Sequence, residues 1–349
     1  MIKLYLRLYN SILALLVLLL TCNLGHGQDK GFKVYSVGFY NVENLFDTLD
    51  NSQIRDEEFT PQGEKVWNTA KYNEKVANIA SVISQLGKDL CQDGLSLLGV
   101  SEIENDTVLT SIISHPILAS RNYGFVHANS RDSRGIDVAL LYDKDVFTPL
   151  SHKIYNARHE DSNRNTRDVL LVSGYLDGEL IHMTINHWPS RGGGEKKTAK
   201  YRNYAASVNR VILDSLLTVN PNSKFIVMGD LNDDPSNESV KEILGAKKKI
   251  KKVSSVDMYN PMYQYYDKGS GSNAYRDKWS LFDQIIVNAP LVKSTGGLEF
   301  HKAKIYNKKY LIQKTGEYQG YPKRTFSGDV YQGGYSDHFP VYIYLKKKV

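Results

Sequence analysis

Apolar runs that stop abruptly at one or two polar residues recur along this chain. The clearest is Lys224-Phe-Ile-Val-Met-Gly-Asp-Leu-Asn-Asp233. Phe225 to Met228 read as a buried strand, Gly229 ends it, and Asp230 and Asn232 follow at once. Phe32 to Val42 repeats the design, with Val34 and Tyr40 on one face, Val37 and Phe39 on the other, and Asn41, Glu43 and Asn44 at its end. Leu95 to Val100 closes in Ser101-Glu102, and Leu180 to Asn186 closes in His187-Trp188-Pro189. Strands apolar on both sides belong in the middle of a layered fold. Leu281 to Val287 carries Asp283 near its start, and Asp337-His338 precedes a final strand that runs to Tyr344.

Between these runs the period changes. Tyr72, Val76, Ile79, Ile83 and Leu86 recur at steps of three and four, the mark of a helix packed by one face, with Asn68 or Thr69 as its cap. Tyr201, Ala205, Val208, Ile212 and Leu216 mark a second, longer helix opened by Arg191-Gly-Gly-Gly194. Shorter helices are predicted over Val108 to Ile113 and near Ser239 to Leu244. Tyr123 to Ala128 pairs with Ile136 to Tyr142, and Val169 to Tyr175 pairs with Leu180 to Asn186 around Asp177-Gly178. Residues 47–65 read as a polar, acidic loop. Strands, hairpins and two long helices alternate irregularly, which predicts mixed sheets covered by helices in an α/β or α+β fold. No repeat or low-complexity linker interrupts the chain, so one domain is expected from about residue 30 to the end.

The N-terminus has the pattern of an export signal. Lys3 and Arg7 precede an apolar run from Ile12 to Leu20 that is too short to span a bilayer comfortably. Gly25-His26-Gly27 is a small-x-small cleavage site, giving residues 1–27 as signal peptide and 28–349 as the mature domain. Leu19-Leu20-Thr21-Cys22 loosely resembles a bacterial lipobox, so a lipid anchor at Cys22 is the alternative. Either route predicts an exported protein that is periplasmic, outer-membrane-associated or extracellular. Cys91 is then the one cysteine of the folded part, which excludes an internal disulfide and a multi-cysteine zinc site. The net charge of +6, two units of it from Lys3 and Arg7, suits an anionic substrate without singling out nucleic acid.

The polar strand ends supply oxygen and imidazole ligands. Such donors suit Mg²⁺, Mn²⁺ or Ca²⁺ better than softer metals. A phosphodiester repels an approaching hydroxide, and a divalent ion relieves that repulsion. Asp230 is a candidate general base, and Asn232 a neutral donor to a phosphate oxygen. A histidine held by a carboxylate, as His338 is by Asp283 in this reading, keeps one tautomer and stays protonated near neutral pH. Arg134, before Gly135, and Arg191, before three glycines and a helix, are candidate phosphate contacts. Arg164 and Arg167 are weaker ones. The run Lys247-Lys-Lys-Ile-Lys-Lys252 reads as a solvated turn. The 24 tyrosines, clustered between Tyr259 and Tyr275 and again between Tyr306 and Tyr335, pack long loops or stack on bases or sugars.

Six of these segments, taken together, resemble the endonuclease/exonuclease/phosphatase superfamily, whose members include DNase I, abasic-site endonucleases, neutral sphingomyelinases and inositol polyphosphate phosphatases. They are Phe39-Tyr-Asn-Val-Glu-Asn44, Gly99-Val-Ser-Glu102, Asn186-His187, Gly229-Asp-Leu-Asn-Asp233, Phe282-Asp283 and Ser336-Asp-His-Phe-Pro340, in the superfamily's order. The resemblance implies a four-layered sandwich, two packed mixed sheets with helices outside. It implies that Asn41, Glu102 and Asp337 bind metal, that Asp230 activates water with Asn232 on phosphate, and that Asp283 and His338 form a carboxylate–histidine pair. Asn186 is carried over with His187, which matches a second histidine that contacts phosphate or assists the leaving group. Residues 39–47 resemble a bacterial secreted branch. The expected activity is phosphoester hydrolysis, with nucleic acid the leading substrate. Lipid or small phosphoesters are the alternative, and a non-catalytic binding module on the same fold is a third reading. No obligate protein partner is indicated.

Overall fold

Alternation within each strand decides how the layers stack. In β8 (Lys224–Asp230), Ile226 and Met228 point to one side and Phe225 and Val227 to the other, and all four are buried. In β1 (Phe32–Leu45), Val37 and Phe39 share the central core with Ile226 and Met228, while Tyr40 and Val42 face an outer layer. A strand apolar on both faces removes two surfaces from water at once, at roughly 25 cal/mol per Å² of apolar area. Only a position between two other layers allows this.

The computed structural model describes residues 31–163, 165–294 and 296–349, of which 34–347 make up one unit. The proposed signal peptide, Cys22 and Arg164 lie outside the described residues. The remaining strands are β2 (Leu97–Ile103), β3 (Tyr123–His127), β4 (Asp137–Asp143), β5 (Phe147–Tyr155), β6 (Val169–Leu176), β7 (Glu179–His187), β9 (Ala246–Lys247) and β10 (Met258–Tyr259). They continue with β11 (Asn273–Tyr275), β12 (Lys278–Ser280), β13 (Asp283–Asn288), β14 (Glu299–Ile305), β15 (Phe326–Ser327), β16 (Val330–Tyr331) and β17 (Val341–Lys348). One sheet has the order β14-β17-β1-β2-β4-β3 and the other β5-β6-β7-β8-β13-β10-β9. Both are mixed: β1–β2 and β7–β8 run parallel, whereas β2–β4 and β8–β13 run antiparallel.

The two sheets meet through one core that joins Val37, Phe39 and Leu140 to Met183, Ile185 and Met228. Outside the first sheet lie helices α1 (Thr69–Ile83) and α2 (Asp106–Ile113), packed by Val76, Ile79, Ile83, Val108 and Ile112. Outside the second lies α3 (Glu195–Val219), packed by Ala205, Ala206, Ile212 and Leu213 on Phe225 and Val227. The result is the expected four-layer α/β sandwich. Asn68 caps α1 by accepting from the Lys71 N–H, and both expected hairpins are present.

The differences fall where packing is one-sided or local geometry is unusual. β5 and β14 were not expected; both are sheet-edge strands of mixed exposure, so they carry no long apolar run. The helix near Ser239 is a single wide turn, Ser239–Ile243. β1 continues past Asn41 to Leu45 through an irregularity, with Glu43 and Asn44 at φ 54° and 48°. The loop after it is anchored by Phe46, Phe59 and Trp67, which form a satellite core with Phe326. Among the described residues no helix is long and apolar enough to cross a membrane.

Gly229 is the tightest point beside the site-bearing strand ends. A Cβ there would sit 2.4 Å from the Asn186 carbonyl oxygen and 2.6 Å from the Asn186 Cβ. Backbone cannot swing aside as a side-chain tip can, so overpacking of this kind costs about 1–3 kcal/mol or more. Gly229→Ala is expected to lower the unfolding free energy by that amount, read as a lower urea midpoint with little change in slope. An unchanged midpoint would contradict the close approach.

Candidate active site

Strand register brings the acidic residues together. His187, Asp230 and Asp283 lie side by side on neighbouring strands, β7 to β8 to β13. Asn41 and Glu102 come from the ends of β1 and β2, which run parallel from Val37/Leu97 to Asn41/Ser101. Asp337 and His338 precede β17, the other neighbour of β1. Six segments spread over the chain therefore end at one edge of the two packed sheets.

The side chains are mutually bonded. Asn41 Nδ2 donates to Glu102 Oε1 at 3.0 Å and to Asp230 Oδ2 at 3.1 Å. Asn41 Oδ1 accepts from the Glu43 N–H, and Glu102 Oε2 accepts from the Asn44 N–H. Asp230 Oδ1 accepts from the Asn232 N–H at 3.0 Å. His338 Nδ1 lies 2.6 Å from Asp283 Oδ2, while its Nε2 is 3.9 Å from both Asp230 Oδ2 and Asp337 Oδ1. His187 Nε2 lies 3.6 Å from Asp230 Oδ2 and 3.7 Å from Glu102 Oε1. Glu102 at φ 63° and Asn232 at φ 48° occupy the left-handed region, a strained backbone for glutamate and a milder one for asparagine.

Charge in this cluster is unevenly compensated. Burial raises the Asp230 carboxyl to about 6; the His338 charge opposes that rise, and the Asp283 charge adds to it. Burial also raises Asp337, again against His338. For His338 burial favours the neutral ring, but the carboxylates of Asp283, Asp230 and Asp337 outweigh it and hold the pKa well above the usual value. His338 is thus an imidazolium that gives Nδ1–H to Asp283 and aims Nε2–H toward Asp230 and Asp337. His187 goes the other way: burial, with Arg167 and Arg134 adding to it, holds it neutral.

A neutral imidazole between two carboxylates leaves their charge standing. Glu102, His187 and Asp230 each offer a ligand atom, all within 4.8 Å of one another. Two carboxylates with one imidazole make a largely oxygen donor set; Asn41, expected as a metal ligand, instead turns its NH₂ to the two carboxylates and its oxygen to the Glu43 N–H. The buried His187 Nδ1 and Asp283 Oδ1 have no hydrogen-bond partner. The residues present therefore fit a divalent cation of the Mg²⁺ or Mn²⁺ kind.

Two of the expected substrate contacts are spent elsewhere. Asn186 is fully buried and donates to Thr184 Oγ1 and the Met228 carbonyl while accepting from Trp188 Nε1 and Asn209 Nδ2. It joins β7, β8 and α3 and has nothing left for phosphate. Arg191 donates to the Asn232 carbonyl and to Asp234 and Asn237, pairs with Glu195, and lies over the Phe282 ring. It clamps the loop that follows Asp230. A sequence shows a guanidinium beside glycines but not the carboxylates folded around it. Asn232 sends one amide hydrogen to the Trp188 carbonyl at 3.0 Å and keeps the other. Arg134 is half-exposed, bonded to Asp132, and close enough to be felt by His187.

Other residues support the site without having been singled out. Arg167, weighed only as a phosphate contact, is buried; it donates to the His187 and Trp188 carbonyls and pairs with Asp132 at 3.1 Å. Lys75 is fully buried, 3.6 Å from Glu43, and donates to Thr325 Oγ1 and the Tyr335 carbonyl. Burial lifts Glu43 to about 7. Ser336 Oγ donates to the Asn41 carbonyl and accepts from the His338 N–H. Lys75 had no signal, because a lysine on an amphipathic helix reads as its solvent face. Ser336 lies in the Ser-Asp-His segment, but its role depends on the Asn41 carbonyl, a partner far away in sequence.

The geometry has relatives. Over residues 36–347 the chain matches the sequence profile of the Endonuclease/Exonuclease/phosphatase family. No protein of curated function matches the sequence. Solved structures share the fold at low identity. A family protein from Bacteroides thetaiotaomicron aligns at TM-score 0.54 and 15% identity, over 91% of this chain and 99% of its own. The mannosyl-6-phosphatase of the same organism aligns at 0.52 and 15%, over 89% and 99%. D. rerio TDP2, complexed with single-strand DNA product, aligns at 0.53 and 13%, over 90% and 99%. With nearly every strand of both sheets inside the matched region, the chain belongs to the endonuclease/exonuclease/phosphatase family of hydrolases.

Proposed function

We propose that this protein is an exported, divalent-metal-dependent phosphodiesterase acting on nucleic acid. One observation carries the catalytic part: Asp230 is buried between the Asp283–His338 pair and the Asn41–Glu102 pair. A base, an acid and a cation seat then surround one point. Glu102, with Asp337 nearby, would hold the cation, and Asn41 orients Glu102 and Asp230 through its NH₂. When bound, the cation offsets phosphate charge and stabilises the leaving oxygen.

The chain's own residues supply the proton chemistry. Asp230, fixed by the Asn232 N–H and raised to about 6, is an ionised base near neutral pH with real affinity for the proton of an attacking water. His338, protonated and oriented by Asp283, places Nε2–H where negative charge develops on the phosphoryl oxygens. The free amide hydrogen of Asn232 and the guanidinium of Arg134 are placed to hold the phosphate. His187 remains a neutral ligand or acceptor. The single-strand DNA product bound by D. rerio TDP2 supports the substrate class, and the basic balance of the chain suits an anionic phosphoester.

Purified residues 28–349 are expected to nick plasmid DNA with Mg²⁺ or Mn²⁺ and to stop on addition of chelator. Asp230→Asn and His338→Gln should each lower kcat by roughly 10²–10⁴-fold. Nicking at wild-type rates by both variants rules this site out. Turnover of a hexose phosphate with no nicking assigns the same chemistry to small phosphoesters.

A second expectation needs no turnover. Asp230 binds its proton more tightly folded, at about 6, than at the ordinary 3.8. In metal-free protein its contribution to stability is therefore lost as pH rises from about 4 through 6. A cation must displace that proton, so the Mg²⁺-induced rise in Tm should be small at pH 5 and larger at pH 8. In Asp230→Asn the pH dependence of that rise should shrink. A rise equal at both pH values in the wild type would place the cation elsewhere.

A further inference from the structure

A buried imidazole outside the catalytic cluster is tied to the loop that carries Arg134. His127 is the last residue of β3, and its side chain is only 3% exposed. Its Nδ1 lies 2.7 Å from Asp106 Oδ1 in the first turn of α2, and its Nε2 lies 3.2 Å from Asp137 Oδ2 at the start of β4. Among the described residues, Asp106 from α2 and Asp137 from β4 are the charged groups that face the ring. Asp106 is exposed and Asp137 is buried. Only an imidazolium has an N–H for each of two carboxylates; a neutral ring turns a lone pair toward one of them. Burial favours the neutral ring, but Asp137 and Asp106 outweigh it and raise the pKa.

From Asp137 the bonds run into the turn of residues 130–135. Asp137 Oδ1 accepts from the Ser130 N–H at 2.8 Å, and Ser130 Oγ accepts from the Asp132 N–H at 3.2 Å. Asp132 Oδ1 accepts from the Arg134 N–H at 2.9 Å and from Arg134 Nε at 3.3 Å. Asp132 Oδ2 pairs with Arg167, which donates to the His187 carbonyl. A continuous line of bonds therefore leads from a titratable ring to the Arg134 guanidinium. It does not pass through Glu102, Asp230 or His338.

We infer that His127 is a positioning residue: clamped by Asp106 and Asp137, it fixes the turn of residues 130–135 and so sets Arg134 against the substrate phosphate. The assignment rests on the phosphodiesterase reading, in which Arg134 holds phosphate, and adds a control of substrate binding by pH. The clamp is complete below the ordinary imidazole value of 6.5 and is lost as pH rises through the higher value of the folded protein. Its loss weakens phosphate binding and leaves Asp230 and His338 in place.

Two readouts separate the clamp from the chemistry. In His127→Gln the amides of Ser130, Asp132 and Arg134 should lose hydrogen-exchange protection at neutral pH. With an oligonucleotide substrate and saturating Mg²⁺, the same variant should raise KM about tenfold and change kcat by less than about twofold. In an Arg134→Gln background, His127→Gln should raise KM no further. Wild-type KM should rise between about pH 7 and 9, and His127→Gln should lack that rise. Asp106→Asn, a change at an exposed side chain, should keep the fold and move the rise to lower pH. Unchanged amide protection, a loss carried by kcat, an equal KM effect in the Arg134→Gln background, or an unaltered pH profile overturns the inference. Lost protection in a protein that cleaves no oligonucleotide keeps the clamp and removes the phosphodiesterase reading; cleavage by His127→Gln at wild-type KM does the reverse.

Discussion

Carboxylate charge gathered at one edge of two packed sheets is the constraint on which the rest of this structure depends. Asp230, Asp283, Glu102 and Asp337 converge there, and among the described residues the His338 imidazolium, the Arg324 guanidinium 3.8 Å from Asp337 and the buried Lys75 oppose their charge. Like charges at such distances oppose folding unless neighbours neutralise them. Burial pulls the Asp230 and Asp337 carboxyls upward, and the carboxylates of Asp283, Asp230 and Asp337 hold the His338 proton. Glu102, His187 and Asp230 make this edge a candidate seat for a cation.

Holding these groups in place requires an unusually rigid surround. Register fixes His187, Asp230 and Asp283 in a row, so a slip of one residue would turn every one of them to the opposite face. The sheets alone do not aim the side chains. Arg167 pins the backbone after β7, Arg191 and Arg202 fasten the loop after β8, and Lys75 with Glu43 ties the end of β1 to the loop before Asp337. Each of these cations is turned inward onto carbonyls and carboxylates, and none is left over for ligand. Backbone in the left-handed region at Glu43, Asn44, Glu102 and Asn232 shows that the strand ends bend out of regular geometry to bring their side chains together.

The aromatic residues divide by place. Tyr306, Tyr310, Tyr335, Tyr342 and Tyr344 lie in one chain of ring contacts and phenol bonds against the outside of the first sheet. They do the packing work expected of tyrosine in long loops. Trp279 differs because it stacks on Phe339, the residue after His338.

Much of this was legible in the order of residues. Runs such as Phe225–Met228 and Val37–Val42 can be satisfied only between layers, so mixed sheets covered by helices follow from alternation, whereas the four-layer sandwich and the roles of Asn41, Glu102, Asp230, Asp283 and His338 followed from the resemblance of six short segments. What could not be read is what depends on partners distant in sequence. Arg191 and Asn186 resemble ligand contacts until Asp234 and Asn209 fold against them, Lys75 resembles a surface residue until Glu43 and Thr325 enclose it, and β5 and β14 resemble loops until a neighbour pairs with them. Burial preference is a property each residue carries with it, so the sequence determined the layers. Which donors remain free is a property of the assembled neighbours, and only the tertiary structure decided that.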